Sequence, residues 1–523
     1  MVGLGEMVMI LELHRQGVSV SAIARQVGLD RKTVHKYIER GLEPPMYGPR
    51  PARASKIAPF SRYLRERLAA FPQLTGRRLH RELRELGYAG GYSILTDFLR
   101  DIRPIEPAPI ELLRAADANR QPDLVPLRYG RMLQSPFAFY RGCAGVMAVD
   151  LGPTPVTGIR VQACGDAHLM NFGGFATPER RLIFDVNDLD ETLPAPWEWD
   201  IKRLVASFVM AARTNGLSES AGRDAAIACA HSYRKRMRDF AGMDVTDIWY
   251  ARIDDTDVMS IFTDAQRQII AKRVAKATAA SSSELVFPKL TELAGRQPRI
   301  RDTPPTVFHP DEARHPGFAD LCREVFNSYR GTLSDDRRAL FDRFRIVDVA
   351  MKVVGIGSVG TMCFVALFMS LTGKPFFLQL KEANASVLEP YAGASTYGHH
   401  GQRVVMGQRM MQPASDLFLG WVTGPKGRHY YVRQLRDVKM SALVGTFDAE
   451  LLTIYARLCG WALARAHAKA GDPWMISGYL GKQDAFENAM GKFAPAYADQ
   501  TERDYEALKV AARTGIVAAD VER

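Results

Sequence analysis

Three short stretches hold side chains whose types and spacing suit the handling of phosphate. The first is CGDAHLMN, residues 164–171, in which Gly165 permits a tight turn and Asp166, His168 and Asn171 follow closely. A carboxylate that orients a hydroxyl, beside an amide that can hold Mg²⁺, is what phosphoryl transfer needs. Asp166 and His168 are therefore the candidate catalytic residues. The second is RRLIFDVNDLDE, residues 180–191, an apolar strand ending in Asp185, Asp188 and Asp190. Clustered carboxylates suit hard cations, which take oxygen ligands, so Asn171, Asp185 and Asp188 are the candidate metal ligands. In the third, residues 353–383, Gly355, Gly357 and Gly360 lie between two apolar runs, and Lys381 follows on FFLQLKEA. Backbone N–H groups of such glycines can approach phosphates, and a lysine among apolar residues either reaches water or pairs with a charged ligand. Taken singly, each residue has a plain structural use as a turn cap, a solvated acidic hairpin or a snorkelling lysine. The ordered set favours the functional reading.

These residues need elements to position them. Val353 to Gly373 is 21 residues without a charge, long enough to cross a bilayer. Eight of the 21 are Gly, Ser or Thr, and the flank FFLQLKE alternates, so the reading is a buried strand–turn–strand and no membrane partner. HYYVRQLRDVK, residues 429–439, reads as a strand and hinge, and LLTIYARLCGWALARAHAKAG as an apolar core helix. A glycine hairpin followed by a strand lysine is the order of a kinase nucleotide clamp, which makes ATP and Mg²⁺ the expected cofactors and an unidentified hydroxyl the phosphate acceptor.

The 523 residues suggest two to four domains. At 47% hydrophobic and 24% charged, the chain is neither disordered nor collagen-like. Six scattered cysteines without a CxxC pair indicate neither a disulfide framework nor a zinc ribbon, and with no leader-like start the expectation is a reducing cytoplasm. The net charge of +11 divides unevenly. Residues 1–104 hold 18 Lys and Arg against 10 Asp and Glu, and the rest 51 against 48. A basic module on a near-neutral body points to nucleic acid.

Within that module, residues 1–41 read as a helix-turn-helix DNA-binding domain. Ser21 opens a short helix with Ile23, Ala24 and Val27 inward, Gly28 makes the turn, and Asp30 caps a second helix that offers Arg31, Lys32, Thr33, His35 and Lys36. A helical hairpin with a solvated basic face is the plainer alternative. Residues 42–57 form a Pro-rich basic linker, expected to be extended. Residues 58–104 read as three short helices with Arg77, Arg78, Arg81 and Arg84 on and around one of them, either a second DNA contact or a solvated face.

Residues 5–104, through GEMVMILELHRQGVSVSAIARQVGLDRKTVHKYIERG, EPPMYGPR and LTGRRLHRELRELGY, resemble the N-terminal DNA-binding region of IstA-type transposases of the IS-twenty-one class. In that family an acidic triad in a following RNase H-like domain cuts and joins DNA, and no counterpart is found after Pro104. CGDAHLMNFG with FDVNDLDE resembles the HGDxHxxN and metal-Asp elements of aminoglycoside-phosphotransferase-type kinases. WEWDIKRL resembles their following helix, which implies that Asp200 braces the catalytic loop. Residues 111 to about 515, through SPFAFYRG, GDAHLMNFG, ETLPAPWEWDIKRL, GQRVVMGQRMMQPASDLFLGW and YADQTERDYEA, resemble the bacterial domain-of-unknown-function 2252 family.

The implied fold class is α+β: an all-α N-terminal module, then a kinase-like two-lobed body. Its catalytic-loop region is placed at 111–350, its glycine-loop and lysine region at 351–445, and a helical region at 446–515. That order is the reverse of a kinase's, and a circular permutation would reconcile the two. Cys164 stands where these kinases place His. No clear helix glutamate pairs Lys381: Glu389 is close in sequence, and Met406 occupies the position where Glu is expected. Two functions follow, a DNA-binding module on a phosphotransferase-like body, or a non-enzymatic DNA-binding protein whose body is a passenger or inactive pseudokinase.

Overall fold

Hydrophobic spacing and glycine turns divide the first hundred residues into short helices. The computed structural model describes residues 4–41, 56–70, 76–102, 109–263, 267, 287–295, 297–310, 317–353, 355–435 and 440–520. The chain separates into two units, Met1–Pro104 and Ile105–Arg523. In the first, α1 (Leu4–Arg15), α2 (Val20–Val27) and α3 (Arg31–Arg40) close over Ile10, Ile23, Ala24 and Val34. Gly28 ends α2 at φ +68°, a left-handed conformation that costs a side chain most. The expected linker at 42–57 falls almost wholly outside the described residues. Next come α4 (Ser61–Ala70), α5 (Gly76–Glu85) and α6 (Tyr92–Ile102), whose Leu64, Leu68, Leu79, Leu83, Leu95 and Leu99 make a second small core.

The larger unit is mixed α and β. Its main sheet has six antiparallel strands in the order β11-β12-β10-β9-β8-β7: β7 (Val307–Phe308), β8 (Phe344–Lys352), β9 (Cys363–Ser370), β10 (Pro375–Glu382), β11 (Gly420–Thr423) and β12 (His429–Gln434). Alternation along β10 sends Phe376, Leu378 and Leu380 into one aromatic-rich core with Phe326 and Phe368. It turns Phe377, Gln379 and Lys381 to the opposite face. The uncharged stretch 353–373 is thus a loop followed by β9, and no helix among the described residues is long and apolar enough to cross a membrane.

Four shorter strands and a helical bundle complete the unit. β1 (Arg160–Ala163) pairs with β4 (Leu193–Pro196), and β2 (Phe172–Ala176) pairs with β3 (Leu182–Val186) and with β13 (Met440–Ser441). A hairpin of β5 (Thr291–Ala294) and β6 (Gln297–Ile300) precedes the main sheet. The helices Trp197–Thr214, Glu219–Ala241, Ala449–Ala470 and Ala485–Arg513 share the largest core with β1–β4. Two expected boundaries therefore need correcting. A division at 351 would cut β8, and the helix Phe318–Arg330 already packs on the sheet through Phe326 and Tyr329. The helices after 446 are continuous in packing with those of 197–241, because Trp197 and Tyr233 stack at 5.7 Å and Tyr233 meets His467.

Candidate active site

The loop after β1 carries the first cluster. Gly165 has φ +84°, and a Cβ there would lie 2.4 Å from the Glu191 carbonyl oxygen, so only glycine fits. Asp200, in the first turn of Trp197–Thr214, accepts from Cys164 N at 2.6 Å and Gly165 N at 2.9 Å. Its Oδ2 also lies 3.0 Å from His467 Nε2, whose other ring nitrogen is 2.8 Å from the Tyr233 hydroxyl. The Cys164 thiol is buried and donates to the Asp188 carbonyl at 3.3 Å.

Held in this way, the loop presents Asp166, His168 and Asn171 to a common chamber. Arg203 Nε donates to Asp166 Oδ1 at 2.5 Å, and Asn171 Nδ2 to the Asp166 carbonyl at 2.8 Å. Burial pushes the Asp166 carboxyl up to about 7, against the pull of Arg203. His168 Nε2 is 3.8 Å from Asp166 Oδ2. Burial, with the charges of Arg141 and Arg203, holds His168 well below the ordinary imidazole range, hence neutral.

The three acids after the loop separate. Asp185 is fully buried in β3 and pairs with Arg465 at 2.7 Å, both side chains shut off from solvent. It does not line the cleft, so of the expected metal set Asn171 and Asp188 are brought together there and Asp185 is not. Asp188 lies 3.8 Å from Lys381 Nζ. Asp190 takes Lys381 directly at 2.5 Å and accepts from the Tyr431 hydroxyl at 2.6 Å. The partner of Lys381 is thus an acid of the β3–β4 loop, neither Glu389 nor a group at Met406. Burial disfavours the Lys381 charge, but Asp188 and Asp190 outweigh it and hold the ammonium well above its ordinary range. Arg403, on the helix His400–Met411, fixes that loop by donating to the carbonyls of Asp190, Thr192 and Asn384.

Two chambers meet at Asp188, Gly355 and Ser358. One of about 740 Å³ is lined by Lys381, Gln379, Arg433 and Gln434. The other, about 590 Å³, holds Asp166, His168 and Asn171. Both fall in the size range of small-ligand sites. Gly355 borders both and Gly357 only the second. Gly360 borders neither. At φ +88° its missing Cβ would come within 3.0 Å of Arg120 Cβ, and its carbonyl accepts from Gln121 N at 2.8 Å. It anchors the loop rather than facing a ligand. Among the described residues no three His, Cys, Asp or Glu side chains form a ready metal cage. Mg²⁺ usually takes one or two protein carboxylates plus substrate phosphates. The Asn171 amide oxygen and Asp188 fit that donor set; Asp185, committed to Arg465, does not.

In the smaller unit, Arg31, Lys32, His35 and Lys36 are exposed on α3. Thr33 is committed instead to the cap, its N–H and hydroxyl bonding Asp30 at 2.8 and 2.7 Å. On α5, Arg77, Arg81 and Arg84 face water. Arg78 binds Glu82, which Arg67 also holds, and the two arginines push the Glu82 carboxyl down to about 2.

Sequence reasoning missed Arg203, Asp190 as the lysine partner, and Arg465 and His467 behind the loop. Arg203 had a signal, standing three residues after Asp200 on one helical face. Arg465 and His467 were ionisable residues within an apolar helix, where burial demands a partner.

The family described as "Uncharacterized protein conserved in bacteria (DUF2252)" matches residues 120–511. About 100 N-terminal residues match transposases. One, described as a transposase for insertion sequence element IS5376 from Geobacillus stearothermophilus, is 42% identical over 103 residues, 20% of this chain and 26% of that protein. A transposase for insertion sequences IS1326/IS1353 from Pseudomonas aeruginosa is 36% identical over 100 residues, 18% of this chain and 19% of that one. A transposase from Aminobacter aminovorans is 33% identical over 99 residues, 17% of this chain. The chain spans about a quarter or less of the length of these relatives.

Proposed function

The chain belongs to the DUF2252 family, whose description names no activity, and we propose from the site itself that the body is an ATP-dependent phosphotransferase and the first unit a DNA-binding module. The observation that carries the first half is the meeting of Lys381 with Asp188 and Asp190, at the junction of a nucleotide-sized chamber and one holding Asp166. The parts follow the order of a kinase clamp, with a glycine loop after one strand, a lysine on the next-but-one, a helix, and two more strands. A circular permutation would account for the reversed chain order, and β13 supports it. Directly after the sheet it pairs with β2 through Met440–Gly174 and Ser441–Gly173, which joins the two halves much as a hinge would.

In this reading Lys381 binds nucleotide phosphates, Gly355 and Gly357 cover them, and Asp166 accepts a hydrogen bond from the attacking hydroxyl. Arg203 fixes the Asp166 carboxylate, and neutral His168 adds no second positive charge beside it. Asn171 and Asp188 would hold Mg²⁺, which neutralises charge on the transferring phosphoryl group. Calorimetry with MgATP tests the reading. Micromolar-range binding that weakens in Lys381→Met is expected; no binding by the intact chain, with no change in any turnover on Asp166→Ala, would reject it.

For the first unit, the turn at Gly28 and the exposed cations of α3 support a recognition helix of the IstA type, entering a major groove. The second reading, a DNA-binding protein with an inactive body, draws on one observation. The position expected to carry the lysine's acid holds Met406, and the lysine is tied to Asp190. Binding to element-end DNA without MgATP binding would select it.

A further inference from the structure

The Asp166 chamber has a wall that the phosphotransferase reading does not use. Arg120, Arg128 and Arg141 line it, together with the start of the helix Ala144–Leu151. Two of these arginines share one carboxylate. Asp117 meets Arg120 at 3.3 Å and Arg128 at 2.8 Å, and also accepts from the Tyr129 hydroxyl. Arg141 has none. It lies against the Phe137 ring at 6.0 Å, its Nε is buried without a hydrogen-bond partner, and no ion pair reaches it among the described residues. An unpaired Nε–H out of water is costly, and the half-buried guanidinium that carries it lines the chamber, so the group marks a place for an anion.

The acids of the chamber do not fill that place, because each is engaged elsewhere. Asp166 is held by Arg203, Asp190 by Lys381, Glu382 by Arg428 at 2.6 Å, and Glu191 accepts from Val387 N at 2.8 Å. Asp188 faces Lys381. The helix Ala144–Leu151 adds to the same field, for its N-cap residue Cys143 supplies no side-chain cap. Val146 N donates to the Cys143 carbonyl at 3.1 Å, and the positive end of the helix dipole still favours negative charge there. Arg141 lines the same chamber as Asp166 and His168, and its carbonyl lies beside Gly357 of the glycine loop.

We propose that this chamber is the acceptor subsite and takes a hydroxyl compound that carries its own oxyanion, a carboxylate or a phosphate ester, bound by Arg141. The inference rests on the phosphotransferase reading for its reaction. The acceptor hydroxyl oxygen bonds the γ-phosphorus of ATP, the bond from that phosphorus to the β–γ bridging oxygen breaks, the hydroxyl proton passes to Asp166, and ADP leaves. Arg141 sets which hydroxyls reach Asp166 by holding the far end of the molecule.

The test titrates the full chain with inorganic phosphate and, separately, acetate, without nucleotide, in the wild type, Arg141→Gln and Arg141→Lys. MgATP affinity is measured beside each. The expected result is anion binding that weakens about tenfold or more in Arg141→Gln, as loss of a charge-assisted contact should. Arg141→Lys keeps the charge but loses the planar fork, so its anion affinity should fall between those of the wild type and Arg141→Gln, which shows that the fold tolerates the site's alteration. MgATP affinity should be equal in all three, and the tighter of the two anions identifies the acceptor's class. No anion binding by the wild type, or equal binding by wild type and Arg141→Gln, overturns the proposal. So does a parallel loss of MgATP affinity in Arg141→Gln, which would assign Arg141 to the nucleotide. Arg141-dependent anion binding without any MgATP binding leaves the anion subsite standing and removes the phosphotransferase reading instead.

Discussion

The two units keep their polar residues in opposite surroundings. On α3 the basic side chains Arg31, Lys32, His35 and Lys36 stand in water, and the helices beneath are held by a handful of apolar side chains. In the body, Asp166 is half-buried and Lys381 and Asp200 are withdrawn from water, and each is held by a residue distant in sequence: Arg203, Asp190 and His467. An exposed charge serves a partner that brings its own counter-charge and is easily screened. A buried one has to be balanced from within, so its neighbours set its pKa and position. If this contrast is right, substitutions in the body should change chemistry or folding sharply, and those on α3 should change only binding.

The largest effect is expected at Asp166. Asp166→Asn should lower phosphoryl transfer by about 10²–10⁴-fold, the usual contribution of a positioned acid–base group, with MgATP affinity unchanged. The pH profile gives a second reading. The wild-type carboxyl, raised by burial to about 7, accepts a hydroxyl proton only when ionised. Turnover should therefore fall about tenfold per unit below pH 7 and level off above it, and the asparagine variant should lose that limb. A flat wild-type profile between pH 5 and 8 would show that Asp166 does not serve as the acceptor of the proton.

Next in size is a pair that separates two acids three residues apart. Asp185→Ala strands Arg465, both partners being fully buried, and breaking such a pair costs about 3–5 kcal/mol. Asp188→Ala should cost under about 1 kcal/mol, because its partly exposed carboxylate is screened, yet should weaken MgATP binding. Urea unfolding beside calorimetry reads both. Equal destabilisation by the two variants would contradict the assignment of Asp185 to structure and Asp188 to ligand.

These acids also mark how far the sequence could be read. The α+β class, the glycine turn at Gly28, the Asp30 cap and the bracing of the Cys164–Gly165 turn by Asp200 were all legible, because each is local or belongs to a recognisable motif. The rejection of a membrane helix at 353–373 was legible too, from its glycines and the alternation of its flank, although only 363–370 of that stretch is strand. Asp185 and Asp188 were not separable. β3 is buried on both faces, so Asp185 is enclosed along with Phe184 and Val186, and only the arrival of Arg465, 280 residues later, makes that burial tolerable. The partner of Lys381 was hidden for a similar reason, as the acid comes from a loop that precedes it by 191 residues. The boundary expected at 351 followed a change in composition, whereas β8 had already joined the sheet at Phe344.

A smaller effect, on binding alone, is expected from Arg31→Ala with Lys32→Ala. Affinity for element-end duplex should fall, and the slope of log K against log salt should become shallower by about 2, one for each lost phosphate contact. MgATP affinity should not move. An unchanged slope would mean that α3 does not face DNA, and that its basic surface is simply solvated.

The smallest effect probes the one place where the two modes meet. Asp30 belongs to the exposed unit, yet its carboxylate is bound twice by Thr33, and both bonds pull it below the ordinary range. Asp30→Ala should open the first turn of α3, read as faster amide exchange at Thr33 and Val34. Thr33→Val should give part of that loss by removing the hydroxyl bond while keeping the amide bond. If DNA affinity falls in Asp30→Ala by no more than this helix destabilisation accounts for, Thr33 acts only as a structural cap. A larger loss, shared by Thr33→Val, would return Thr33 to the set of residues that touch DNA, and would narrow the contrast between the two units at that position.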